Sequence, residues 1–122
     1  MIGHLSLGVA DLARAKTFHD AALGALGYTR VWANDRGVGY GLSGGDDGLA
    51  LFARAGASPP GAGFHVAFVA GSREAVARFH AAALAAGGTC GGPPGPRPQY
   101  SPTYYAAFVV DPDGYKLEAV HK

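Results

Sequence analysis

From Ile2 to Val9 the chain alternates, with Leu5, Leu7 and Val9 on one face and Ile2, His4, Ser6 and Gly8 on the other. A two-residue period of this kind predicts a strand with one apolar face. At Asp11 the period lengthens. Leu12, Ala15, Phe18, Ala22 and Leu26 recur at helical spacing, Asp11 stands where a helix cap belongs, and Gly27 stops the run. Three strands are predicted next, over 28–33, 38–43 and 49–53. The first two are joined by Asn34-Asp35-Arg36-Gly37 and the last two by Gly44-Gly45-Asp46-Asp47-Gly48. The first half therefore reads βαβββ.

The second half repeats the order. Residues 64–70 carry aromatic and β-branched side chains between glycines and read as a strand; Ser72 then caps a helix to about Ala86, ended by Gly87-Gly88. A short strand is expected near Thr89-Cys90, then a Pro-rich loop over 91–103. A hairpin over 104–110 and 115–120 turns at Asp111-Pro112-Asp113-Gly114. His4 and His65 stand 61 positions apart, and the same offset takes Phe18 to Phe79, Leu23 to Leu84, Gly27 to Gly88 and the cap Asp11 to Ser72. Shared spacing over a strand, a cap, a helix face and a helix stop marks an internal duplication. The repeats cover about 1–54 and 64–122 within one domain, 1–122, separated by RAGASPPGAG.

Composition narrows the function classes. The net charge is +1 with the signs interspersed, so no basic run marks a nucleic-acid or membrane partner. One cysteine excludes an intrachain disulfide, and nothing at the start resembles a signal peptide, so a cytoplasmic location is expected. Long irregular loops inside compact domains tend to be functional, which makes Arg97 and Tyr100 candidates to cover a ligand, although a solvated loop arginine is the commoner case.

A four-residue turn at 111–114 sets Val110 opposite Tyr115 and Ala107 opposite Glu118. Alternation then puts Tyr105, Ala107 and Val109 on the face of Glu118, and Phe108 with Leu117 and Ala119 against the helices. His65 and His4 fall on the face away from the helices as well. Two imidazoles and a carboxylate on one bare sheet face suit a divalent metal with open positions. Tyr105 is the candidate catalytic hydroxyl beside Glu118. The first hairpin matches the second at an offset of 66, which carries Glu118 onto Phe52, a residue that cannot ligate.

The segments His4-Leu-Ser-Leu-Gly-Val-Ala-Asp-Leu, Phe64-His65-Val-Ala-Phe and Asp111-Pro-Asp-Gly-Tyr-Lys-Leu-Glu118 resemble the vicinal oxygen chelate superfamily. It includes glyoxalase I, extradiol dioxygenases and bleomycin resistance proteins. The resemblance implies an α+β fold of two paired βαβββ units, forming a curved half-barrel sheet with helices on its outer face. It also implies a homodimer and a divalent ion (Fe, Mn, Zn or Ni) on His4, His65 and Glu118. The expected activity is dioxygenase-like or lyase/isomerase-like chemistry on a small oxygen-chelating substrate. Phe52 argues against a four-ligand glyoxalase I site. The alternative is a metal-free protein that sequesters a small molecule, as bleomycin resistance proteins do.

Overall fold

The computed structural model describes all residues, 1–122. The first unit contains β1 (Leu5–Val9), α1 (Leu12–Gly24), β2 (Thr29–Ala33), β3 (Gly37–Gly41) and β4 (Leu49–Ala53). The second contains β5 (Val66–Val69), α2 (Arg73–Ala85), β6 (Thr89–Pro96), β7 (Tyr105–Val110) and β8 (Lys116–His121). Each unit forms one four-stranded mixed sheet, ordered β1-β4-β3-β2 and β5-β8-β7-β6, with β1 parallel to β4 and β5 parallel to β8. The duplication read from the sequence is thus a duplication of architecture. The two sheets do not merge within a chain, so β1 and β5 each keep one edge without a strand neighbour.

Both helices start on the expected caps. Asp11 accepts the Arg14 N–H, and Ser72 accepts the Ala75 N–H, each satisfying a donor that the first turn leaves free. Each helix packs on its own sheet, and the two helices pack on each other. The pseudosymmetric pair Phe18 and Phe79 is fully buried there, with Val9, Leu51, Leu117 and Ala119 beneath. At about 1.5–3 kcal/mol per buried side chain of this size, these positions hold the units closed. The other face of each sheet is free of helix.

Two expectations are corrected. The Pro-rich stretch is not all loop, because residues through Pro96 form β6. Pro93, Pro94 and Pro96 lie on the outermost strand, whose pairing with β7 shifts between Cys90 and Gly92 and again between Gly92 and Gly95. An edge strand with bulges accepts residues that cannot donate to a ladder.

The second correction is the register of the last hairpin. Asp111, not Val110, lies opposite Tyr115: the Asp111 N–H donates to the Tyr115 carbonyl at 2.9 Å, and the ladder begins at Val110↔Lys116. The Asp111 carboxylate accepts the N–H groups of Asp113 and Tyr115. Gly114 takes φ 93°, the left-handed conformation of a bulged three-residue turn. That shorter turn shifts every pair in the hairpin by one.

Candidate functional site

The corrected register puts Phe108, not Ala107, opposite Glu118. Tyr105, Ala107 and Val109 turn to the helix side, and Tyr105 packs against the core with the Arg73 guanidinium 4.9 Å above its ring. Tyr105 is therefore not beside Glu118. Tyr104 is: its hydroxyl donates to Glu118 Oε2. Burial, then the hydrogen bond to Glu118, pushes the Tyr104 hydroxyl up to about 12, so it stays a proton donor at neutral pH. The sequence held the signal in adjacent tyrosines, but a wrong turn length selected the wrong one.

Glu118 is 1% exposed, although it lies on the face that no helix covers. Its second oxygen, Oε1, is 3.1 Å from His65 Nε2. Tyr104, Glu118 and His65 share a cavity of about 330 Å³ with Tyr100, Phe108 and Lys116. Phe108 contributes the wall beside His65, with the ring centres 5.9 Å apart. Tyr100 meets Tyr104 edge to face at 5.1 Å. Arg97 reaches the same wall, its guanidinium 5.8 Å from the Phe108 ring centre and anchored on the Pro93 and Gly95 carbonyls.

His4 does not join this group within one chain. It is exposed at the head of β1, and no three His, Cys, Asp or Glu side chains of the chain converge to hold a metal. Between the two units lies an open apolar groove of about 480 Å³, lined by Ile2 and Leu5 on one side and Val66 to Val69 on the other. Ile2 is 78% and Val69 71% exposed. The Tyr28 hydroxyl donates across the seam to the Val69 carbonyl.

The bare face of the first sheet has a different character. Trp32 lies so close over Gly39 that an added Cβ would come within 2.0 Å of the indole nitrogen. Its ring is 5.7 Å from that of Phe52. The registers also revise the counterpart of Glu118. Ser6 pairs with Ala50, and Ala67, 61 positions after Ser6, pairs with Glu118. The counterpart is thus Ala50, with Phe52 two residues further along the same face. The two hairpins turn differently, so matching their glycines misaligned the strands. Neither residue can ligate.

The remaining histidines of the helices, His19 and His80, do not line this cavity. His19 is fully buried, its Nδ1 2.9 Å from the Ala15 carbonyl and its Nε2 3.7 Å from Asp111 Oδ2. His80 Nε2 is 3.2 Å from Cys90 Sγ. No helix is long and apolar enough to cross a membrane.

Comparison with known proteins agrees with this architecture. The family model of the Glyoxalase/Bleomycin resistance protein/Dioxygenase superfamily matches residues 1–119. A glyoxalase/bleomycin resistance protein from Albidiferax ferrireducens is 38% identical, with a TM-score of 0.81 over 98% of this chain and 96% of that one. A glyoxalase-related enzyme from Fulvimarina pelagi shares the fold at 23% identity, with a TM-score of 0.75 over 98% of this chain and 86% of that one. So does the fosfomycin resistance protein FosX from Listeria monocytogenes, at 18% identity and a TM-score of 0.71 over 98% and 91%. No curated protein matches. The chain belongs to the Glyoxalase/Bleomycin resistance protein/Dioxygenase superfamily.

Proposed function

We propose that the protein is a metal-dependent enzyme acting on a small, oxygen-chelating substrate, and that two chains build each site. His65 and Glu118 of one chain would hold the ion together with His4 of a second. The observation that carries this reading is Glu118, a carboxylate buried on a helix-free face with an imidazole on one oxygen and a phenol on the other. An imidazole nitrogen and a carboxylate oxygen 3.1 Å apart form a donor pair suited to Fe, Mn, Zn or Ni. Two donors are too few for a lasting site, and His4, the pseudosymmetry mate of His65, is the available third.

Three features support a partner chain. β1 and β5 have free edges, Ile2 and Val69 expose apolar side chains beside them, and the groove between the units is almost wholly apolar. Unpaired strand edges are templates for pairing, and an exposed apolar seam favours burial. A second copy set against β1 and β5 answers both needs and brings His4 to a foreign His65–Glu118 pair.

A bound divalent ion would supply Lewis acidity to two substrate oxygens. The chain supplies the rest. Tyr104, whose proton is held to about pH 12, offers a hydrogen bond to Glu118 or to a substrate oxygen that gains charge. Phe108 and Tyr100 exclude water beside it. In protein purified without chelator or polyhistidine tag, about one ion per chain is expected, and His65→Ala or Glu118→Ala should remove it. Full occupancy in both variants would refute the site.

One observation favours the second reading, metal-free sequestration. Trp32 and Phe52 present aromatic rings on a helix-free sheet face, a surface suited to holding a flat apolar molecule. High-affinity binding of an aromatic compound that survives His65→Ala, in protein without metal, would support that reading over the first.

A further inference from the structure

Around the His65–Glu118 cavity the charges do not balance. Arg97 and Lys116 both lie over Phe108, with the Lys116 ammonium 4.8 Å from the ring centre, and Lys122 lies 5.6 Å from the centre of Tyr104. None of the three belongs to an ion pair: the arginine–carboxylate pairs of the chain are Arg14–Asp113 and Arg30–Asp20. Glu118, the acid lining the cavity, is already engaged by His65 and Tyr104. Three cations thus gather on one face of a chain whose net charge is only +1. Aromatic faces stabilise exposed cations by only about 0.5–1 kcal/mol, which does not replace a counter-ion.

The two cations over Phe108 are held differently. Carbonyls of Pro93 and Gly95 fix the Arg97 guanidinium without neutralising it, so its charge stays unpaired beside Phe108. Lys116 is exposed and carries its ammonium on a flexible four-carbon stem, on the same face of β8 as Glu118 and two residues away. Phe108, the ring both cations approach, lies directly opposite Glu118 in the ladder.

We propose that the cavity takes a planar molecule carrying an oxyanion, whose flat body takes the place of the Lys116 ammonium on Phe108 and whose anionic group is received by Lys116 and Arg97. That such a molecule is turned over as substrate rests on the enzyme reading above; its binding does not, because the cations and the ring need no metal.

The test uses salicylate, a planar anion, and 2-hydroxybenzyl alcohol, its neutral counterpart. Each is titrated into the full-length protein in EDTA and followed by backbone amide NMR shifts. Salicylate should bind about tenfold tighter than the alcohol, shift Phe108 and Glu118, and lose that advantage as salt rises. Lys116→Gln should weaken salicylate about fivefold and leave the alcohol unchanged. Arg97→Gln should do the same, with its melting temperature checked because the guanidinium also ties the loop. Lys116→Gln carries no such risk.

Equal binding of the two probes, no shift at Phe108 or Glu118 at millimolar salicylate, or unchanged salicylate affinity in Lys116→Gln would overturn the proposal. A parallel titration with Mn²⁺ alone reports on the metal reading separately, so either idea can fail without the other.

Discussion

Asp111→Asn should stabilise the protein above about pH 6 and change little in acid. Asp111 anchors the last hairpin through Oδ1, which accepts two backbone N–H groups. Its other oxygen faces the fully buried His19 Nε2 at 3.7 Å. Burial pushes the Asp111 carboxyl from 3.8 up to about 6, against the backbone N–H of Tyr115, with the Asp113 charge adding to the rise. The folded chain therefore keeps a proton that the unfolded chain has released. Stability from this group is fully present below about pH 4 and is lost as pH rises through about 6. At about 1.4 kcal/mol per pH unit, the loss is on the order of 3 kcal/mol. Asparagine keeps the Oδ1 acceptor, carries no charge, and turns an N–H toward His19 Nε2.

His19 bends the wild-type curve the other way. Burial, opposed by its hydrogen bond to the Ala15 carbonyl, holds its pKa below 6.5, so its own contribution falls as the medium becomes acid. Urea unfolding of both proteins at about pH 4 and about pH 8 gives the comparison. The difference should approach zero at the lower pH and favour the variant by up to about 3 kcal/mol at the higher. A variant that is less stable at pH 8, or shifted equally at both, would refute the reasoning.

Three other outcomes follow from named contacts. Tyr104→Phe removes the phenol from a buried carboxylate and should cost about 1.5–3 kcal/mol in urea unfolding, whereas Tyr105→Phe should cost much less; the reverse order would return the hairpin to the other register. Gly39→Ala should displace the indole that lies 2.0 Å from its new Cβ, and the emission of the single tryptophan should shift to the red; unchanged emission would contradict the contact. Isomerisation of the methylglyoxal–glutathione hemithioacetal should be absent or very slow, because neither Ala50 nor Phe52 can be a fourth ligand; robust turnover in a direct assay would place a ligand elsewhere.

Much of the fold is legible in the residues. Alternation and helical spacing mark the elements, Asp11 and Ser72 mark the helix starts, and the 61-residue offset marks two units. Three matters are not local. The Asp111 turn could close over three or four residues, and only the carboxylate's hold on two N–H groups together with the left-handed Gly114 decides it; that one residue moved the site tyrosine from 105 to 104. The prolines of β6 argue against a strand by propensity, and the bulged edge position overrides this. Finally, His4 and His65 are mates by sequence, but nothing in a one-dimensional repeat says whether mates meet within a chain or between chains.

Mixed dimers decide that last question. His4→Ala and Glu118→Ala each spoil both sites of their own homodimer. If His4 serves the partner's His65–Glu118 pair, a heterodimer of the two variants has one site missing both residues and one site intact. Co-expressed with different tags and purified as the heterodimer, it should bind about one divalent ion per dimer with wild-type affinity, while each parent homodimer binds none at that affinity. A heterodimer as empty as its parents would show that His4 does not complete the site across two chains.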